Sequence, residues 1–224
     1  MKAELKGLWL APAGLVALGL LLFWPAGTLN YWQAWVFIVV FTLATVLPSV
    51  YLAYADPAAL RRRTRGGPWA ETRTVQKFAI TGSILGLFAM LALSALDHRF
   101  GWSRVPASVA VAGDALVVIG LAVGMLVITQ NSYASSGIQV ESGQKLASEG
   151  LYRLVRHPMY AGSLLTMLGI PLALGSYWGL LVVIPGVLML VLRILDEEKL
   201  LVNELGGYRE YTQRVRYRLL PYVW

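Results

Sequence analysis

Apolar residues fall along this chain in long blocks with few polar interruptions. Four blocks are nearly continuous: Leu8 to Pro25, Trp32 to Tyr54, Phe78 to Leu96 and Val109 to Thr129. Each approaches the roughly 20 apolar residues a helix needs to cross a bilayer. A helix that is apolar all round has no face for water, so these blocks predict membrane-spanning helices. The stretch from Gln130 to His157 is too mixed to span. Two shorter blocks follow, Tyr160 to Leu174 and Trp178 to Ile194, separated only by Gly175, Ser176 and Tyr177. Runs this short barely cross a core of about 30 Å, and so tight a link predicts a helical hairpin. A polar tail is expected from Leu195 to Trp224. No internal repeat or low-complexity segment is visible.

Composition agrees with the pattern. Hydrophobic residues make up 57% and charged residues 14%, with mean hydropathy +0.61. A soluble domain carries about 45–50% apolar and about 25% charged residues, so there is too little charge here for a water-facing shell. With no cysteine, disulfides, thiolate zinc sites and cysteine nucleophiles are excluded. Two histidines leave little room for a histidine-based metal cluster, and no metal site is expected. The many Trp and Tyr residues suit aromatic belts at membrane interfaces. Lys2 and Lys6 ahead of the first block would suit a signal peptide, but no small-residue cleavage site follows and further spans do.

Charge sets the expected orientation. With the N-terminus inside, 17 of the 19 Lys and Arg residues fall on the inner side, and only Arg99 and Arg104 fall outside. Such a bias orients a multi-pass protein. It places both termini and the Gln130–His157 loop in the cytosol. The membrane would be the plasma membrane in a prokaryote and the endoplasmic reticulum in a eukaryote. The basic run at Arg61, Arg62, Arg63 and Arg65 belongs to this pattern, and no nucleic-acid partner is expected from so short a run between apolar blocks. Asp114 stands near the start of the fourth block. Ionisable groups within spans are often functional, but here a carboxylate only a turn or two from the interface should reach water.

Three polar segments carry candidate chemistry. The first is Gly150-Leu-Tyr-Arg-Leu-Val-Arg-His-Pro-Met-Tyr-Ala-Gly162. Pro158 suits the first turn of a helix, which puts Arg156 and His157 at a helix mouth whose free N–H groups attract electron-rich ligand groups. An ordinary interfacial helix start explains the same residues. The second is Arg193-Ile-Leu-Asp-Glu-Glu-Lys-Leu-Leu201. Arg193 and Glu197 are four apart, hence on one helical face, as in a simple surface ion pair. Three consecutive acids beside a basic mouth could also grip a zwitterion. The third is the tail, with Tyr208, Tyr211 and Arg218, a mixture common in segments lying on a membrane surface.

Together these segments resemble the isoprenylcysteine carboxyl methyltransferase family, and more weakly the membrane phospholipid N-methyltransferases. The resemblance covers the chain from Asn131 on; the earlier spans match only as apolar helices. It implies one membrane domain over residues 1–224, with N-terminal spans in 1–104 and a methyltransferase core in 105–224. The implied fold is all-α and integral to the membrane: four transmembrane helices, then a helical hairpin, with a cytosolic cofactor pocket closed by the preceding loop and the tail. The implied cofactor is S-adenosylmethionine. Carried over by position, Gln139, Gln144, Lys145, Leu146 and Ala147 would contact it. Tyr152, His157, Pro158, Met159 and Tyr160 would form the main wall, and Glu197 would hold its amino group or ribose. Arg193 would orient the carboxylate of a lipophilic or prenylated substrate among the membrane lipids. The spacing from Gln139 to Tyr152 is shorter than in the eukaryotic members.

Two other readings stand beside this one. A membrane reductase of the sterol reductase type, using NADPH, could share the hairpin-and-tail layout, although no Gly-x-Gly-x-x-Gly fingerprint is present. A small non-enzymatic transporter or assembly protein would call for paired charges within the spans, and apart from Asp114 none are seen.

Overall fold

The computed structural model describes residues 2–64, 67–69, 71–131, 133 and 143–224, with side chains described from residue 12 on except those of 63 and 64. These residues form only helices and turns. In order they are α1 (Lys2–Ala26), α2 (Trp32–Ala55), α3 (Pro57–Thr64), α4 (Thr74–Phe100), α5 (Ala107–Gln130), α6 (Pro158–Ala173), α7 (Val183–Glu204) and α8 (Tyr208–Arg214). Short 3-10 turns lie at Gly150–Arg153 and Trp178–Val182.

The four long apolar blocks become α1, α2, α4 and α5. Among the described residues, four helices are long and apolar enough to cross a membrane: α2, α4, α5 and the stretch Trp178–Glu204. The part of α1 with described side chains, Pro12–Ala26, counts as a short apolar helix. The second arm of the hairpin is longer than its apolar block. Ile194 and Leu201, seven apart, share one face past the apolar block; the helix continues to Glu204 and the tail begins ten residues later than expected. By contrast α6 has 16 residues and, at 1.5 Å per residue, is roughly 24 Å long.

The two arms are joined by the expected tight turn but are not each other's main neighbours. Helix α6 lies along α5, and α7 lies along α4. Glycines explain the first pairing. Gly113 and Gly120 on α5 face Gly169 and Gly162 on α6 in antiparallel register. A Cβ on Gly162 would sit 2.6 Å from the Gly120 carbonyl oxygen, and one on Gly169 would sit 2.7 Å from that of Gly113. Small residues let helix backbones touch in this way.

At the end of the bundle away from the chain's N-terminus, Asp97 ties the connections together. Its carboxylate accepts from Ser103 N at 2.7 Å, Ser103 Oγ at 2.6 Å and Ser176 Oγ. Tyr31 Oη donates to the Leu174 carbonyl at 2.6 Å. Outward-facing positions are apolar, including Leu43 and Leu47 on α2, Leu85 on α4 and Ile119 on α5, as a lipid-facing surface requires. Asp114 departs from expectation. It is buried, with no hydrogen-bond partner for Oδ1 among the described residues, because its turn of α5 is covered by the close α5–α6 seam.

Candidate active site

At the other end of the bundle three segments converge: the foot of α6, the last turns of α7 and the tail. Pro158 occupies the first turn of α6 and His157 is its N-cap. The tail runs past this point and pins it, since Arg156 N and His157 N donate to the carbonyls of Tyr217 and Arg218, each at 2.9 Å. Tyr211 Oη donates to the Tyr152 carbonyl at 2.7 Å, and Asn131 Nδ2 donates to Tyr152 Oη at 3.1 Å. The turn before α6 is fixed by Gln130, whose Oε1 accepts from Leu151 N at 2.9 Å. Gly150 beside it has φ +61° and no room for a Cβ against the Gln130 side chain.

The three consecutive acids of α7 point in three directions, because successive helical residues are turned by about 100°. Asp196 accepts from Arg73 Nη2 at 2.6 Å and from Gln76 Nε2 at 2.7 Å, joining α7 to α4. Glu198 accepts from Arg218 Nε at 2.8 Å and faces His157 Nε2 at 3.3 Å. Arg156 Nε lies 2.8 Å from Glu198 Oε1 as an ion-pair contact without hydrogen-bond alignment. Glu197 lies between them and accepts from Tyr160 Oη at 2.6 Å.

Behind Tyr160 sits Arg193, which is buried. Its Nε donates to Tyr160 Oη at 2.9 Å, and its Nη1 donates to Gln76 Oε1 at 3.1 Å and Glu71 Oε1 at 3.2 Å. Tyr160 therefore stands between Arg193 and Glu197, and the two charges communicate through its phenol.

These segments enclose one pocket. It holds about 800 Å3 of empty space, mouth included, of which about 110 Å3 can be reached by the centre of a water molecule. Leu146, Met159, Leu201 and Leu205 give it apolar walls. The phenol of Tyr208 lines it, buried and without a hydrogen-bond partner among the described residues. Burial pushes the phenols of Tyr152, Tyr208 and Tyr211 above their ordinary range, with Glu197 or Glu198 adding to the effect on each. All three are therefore protonated donors at neutral pH.

Residues 109–207 match the phospholipid methyltransferase family model. That family includes isoprenylcysteine methyltransferase-like membrane enzymes, and the match falls on the same part of the chain as the resemblance seen in the sequence. The family match runs from the start of α5 to the residue before α8 and takes in both helices of the glycine seam and all of α7. A second similarity is to the Delta(14)-sterol reductase TM7SF2 of Mus musculus, 32% identical over 90 residues. That stretch is 39% of this chain but only 22% of the reductase, so the chain spans about a fifth of that relative's length.

Most residues singled out from the sequence meet at the pocket. Gln144, Leu146, Ala147 and Tyr152 line it from the loop; His157, Pro158, Met159 and Tyr160 from the foot of α6; and Glu197 from α7. Lys145 lies between lining residues but is not one of them, and Gln139 lies outside the described residues. Arg193 sits one side chain back, behind Tyr160. Sequence reasoning passed over Asn131, Tyr133, Leu201 and Leu205 as lining residues. It noted Arg156, Tyr208 and Tyr211 without assigning them to the site. Leu201 and Leu205 follow Glu197 at helical spacing and could have been found from it. Glu71 and Gln76 carried no signal, because they come from a distant segment.

Proposed function

We propose that this chain is an S-adenosylmethionine-dependent membrane methyltransferase. Its cofactor lies in the pocket at the foot of α6, and its acceptor is the carboxylate of a lipophilic, prenylcysteine-like compound. The observation that carries the reading is the clustering of His157, Tyr160, Tyr152 and Glu197 around one pocket within the family-matched helices. The residues fit the cofactor chemically. The partnerless Tyr208 phenol can donate to it, and Glu197 offers an anion for an ammonium or ribose hydroxyls. The apolar side chains of Leu146, Met159 and Leu205 can flank a purine. When bound, the cofactor supplies a methyl group already activated on a sulfonium.

The protein's own work is then alignment and exclusion of water. A carboxylate nucleophile needs no general base, and positioning of two reactants can supply about 7–11 kcal/mol. His157 and Pro158 shape the helix mouth, and the tail covers it. Arg193 acts as an orienting cation, since a guanidinium matches a carboxylate with paired hydrogen bonds. In this reading both termini and the 130–157 segment face the cytosol, and the core of the activity lies in residues 105–224.

The similarity to a mouse sterol reductase favours a second reading, an NADPH-dependent membrane reductase. Isothermal titration of the detergent-purified chain with S-adenosylhomocysteine and, separately, NADPH decides between them. Binding of S-adenosylhomocysteine alone is expected; binding of NADPH alone would overturn the methyltransferase reading.

A further inference from the structure

Two donors on the pocket wall are buried and incompletely used. Tyr208 is 3% exposed and Arg156 8% exposed, and both line the pocket. Tyr208 Oη and Arg156 Nε have no hydrogen-bond partner among the described residues. Tyr208 opens α8 directly after Gly206 and Gly207. Gly207 has φ +80°, a left-handed conformation that glycine adopts readily, and the turn returns the chain against α7. The phenol then stands within the fields of Arg156, Glu197 and Glu198. Arg156 shares its anion. Glu198 Oε1 is 2.8 Å from Arg156 Nε, while Glu198 Oε2 accepts from Arg218 Nε at 2.8 Å. Two guanidinium groups on one carboxylate leave one positive charge in surplus at this corner. A buried donor without an acceptor carries a desolvation penalty, and a buried charge in surplus carries a larger one. A single anion in the pocket relieves both.

We propose that Arg156 and Tyr208 form a carboxylate subsite of the pocket, which takes the α-carboxylate at the amino-acid end of the cofactor while Glu197 takes its ammonium. This rests on the reading of the pocket as an S-adenosylmethionine site, and it sets which way round the cofactor lies. An α-amino acid carries both charges on one carbon, so its site needs a cation and an anion on the same wall. Arg156 and Glu197 both line this pocket, and His157 faces Glu198 at 3.3 Å and Glu197 at 3.9 Å, so the two acids and the cation meet around one imidazole. A guanidinium and a phenol O–H both donate, and hydrogen bonds to a carboxylate are the strong, charge-assisted kind. The purine is left to the apolar side of Leu146, Met159 and Leu205.

The test uses the full chain in detergent. S-adenosylhomocysteine and its decarboxylated analogue, in which hydrogen replaces the carboxylate and the amine remains, are titrated into wild type, Tyr208→Phe and Arg156→Lys. Wild type is expected to bind S-adenosylhomocysteine at least about tenfold more tightly than the analogue, the worth of a hydrogen bond to a charged group. Tyr208→Phe removes one hydroxyl and keeps the ring. It is expected to lose about tenfold for S-adenosylhomocysteine and nothing for the analogue. Arg156→Lys keeps the charge opposite Glu198 but loses the planar fork, and the same selective loss is expected. Equal affinity of wild type for the two ligands overturns the proposal whatever the variants do. So does a Tyr208→Phe chain, with the unfolding temperature of wild type, that loses both ligands alike or neither; the cofactor reading then stands without the subsite. Should Tyr208→Phe fail to fold, the selective loss in Arg156→Lys decides in its place, and its absence overturns the proposal. If wild type binds NADPH and not S-adenosylhomocysteine, the anion is a phosphate, and the cofactor reading falls together with the carboxylate assignment.

Discussion

The phenol of Tyr160 donates a 2.6 Å hydrogen bond to Glu197 Oε2. Tyr160 Oη in turn accepts from Arg193 Nε at 2.9 Å, so one hydroxyl orients an acid in the pocket and a cation behind it. Tyr160→Phe removes both contacts and keeps the ring. Leaving a buried polar group unsatisfied costs about 1–3 kcal/mol. The expected outcome is a fall of roughly tenfold or more in S-adenosylhomocysteine affinity, read by titration, with a lowered unfolding temperature in detergent.

His157→Ala and Glu197→Ala touch the pocket from α6 and α7 respectively. Each is expected to weaken S-adenosylhomocysteine binding by about 1.5–3 kcal/mol, the range for hydrogen bonds to charged groups. Wild-type titration curves from both variants would remove the pocket from the cofactor's path.

Glu198→Ala deprives Arg156, Arg218 and His157 of their common anion. Removing one member of a buried ion pair costs about 3–5 kcal/mol. The tail should loosen, and limited trypsin digestion should cut at Arg214 and Arg216 faster than in wild type. Unchanged cleavage would mean that the main-chain bonds to Tyr217 and Arg218 hold the tail without the acid.

Gly120→Val puts branched carbon where a Cβ already meets the Gly162 carbonyl and Thr166. Overpacking costs about 1–3 kcal/mol, and here it pushes two backbones apart. A lower unfolding temperature is expected, while Gly124→Ala, whose Cβ would meet nothing within 4 Å, should leave stability equal or slightly raised.

The native chain has no cysteine, so a single cysteine replacing Ser148 reports cleanly on sidedness. A membrane-impermeant maleimide should fail to label it in intact cells and should label it in opened membranes. Labelling in intact cells would reverse the proposed orientation.

How much of this was legible depended on sequence distance. The apolar blocks gave the helices, because a bilayer demands uninterrupted apolar length, and Pro158 marked the start of α6. The pocket wall from Tyr152 to Tyr160 was legible as one local segment. The last turns of α7 showed only in the helical spacing of Arg193 and Glu197, because the apolar signal fades once a helix leaves the apolar layer. The pairing of α6 with α5 was missed because glycines seven apart carry no hydropathy signal. Glu71, Gln76 and Asp196 were unreadable as a group, since their meeting depends on how α4 packs on α7.

The contact of Gly113 and Gly120 with Gly169 and Gly162 brings main chain against main chain. Such a joint leaves only Thr166, Val117 and Val123 side chains beside the touching backbones, so α5 and α6 have little room to shift against each other. Gln130 and Asn131 at the end of one, and His157 through Tyr160 at the start of the other, are thereby tied to one frame. Opening for exchange therefore falls to the side that carries α8 and the two main-chain bonds at Tyr217 and Arg218. In the proposed reading the tail is the door and the glycine joint is its frame, and weakening those two bonds is expected to speed the release of spent cofactor.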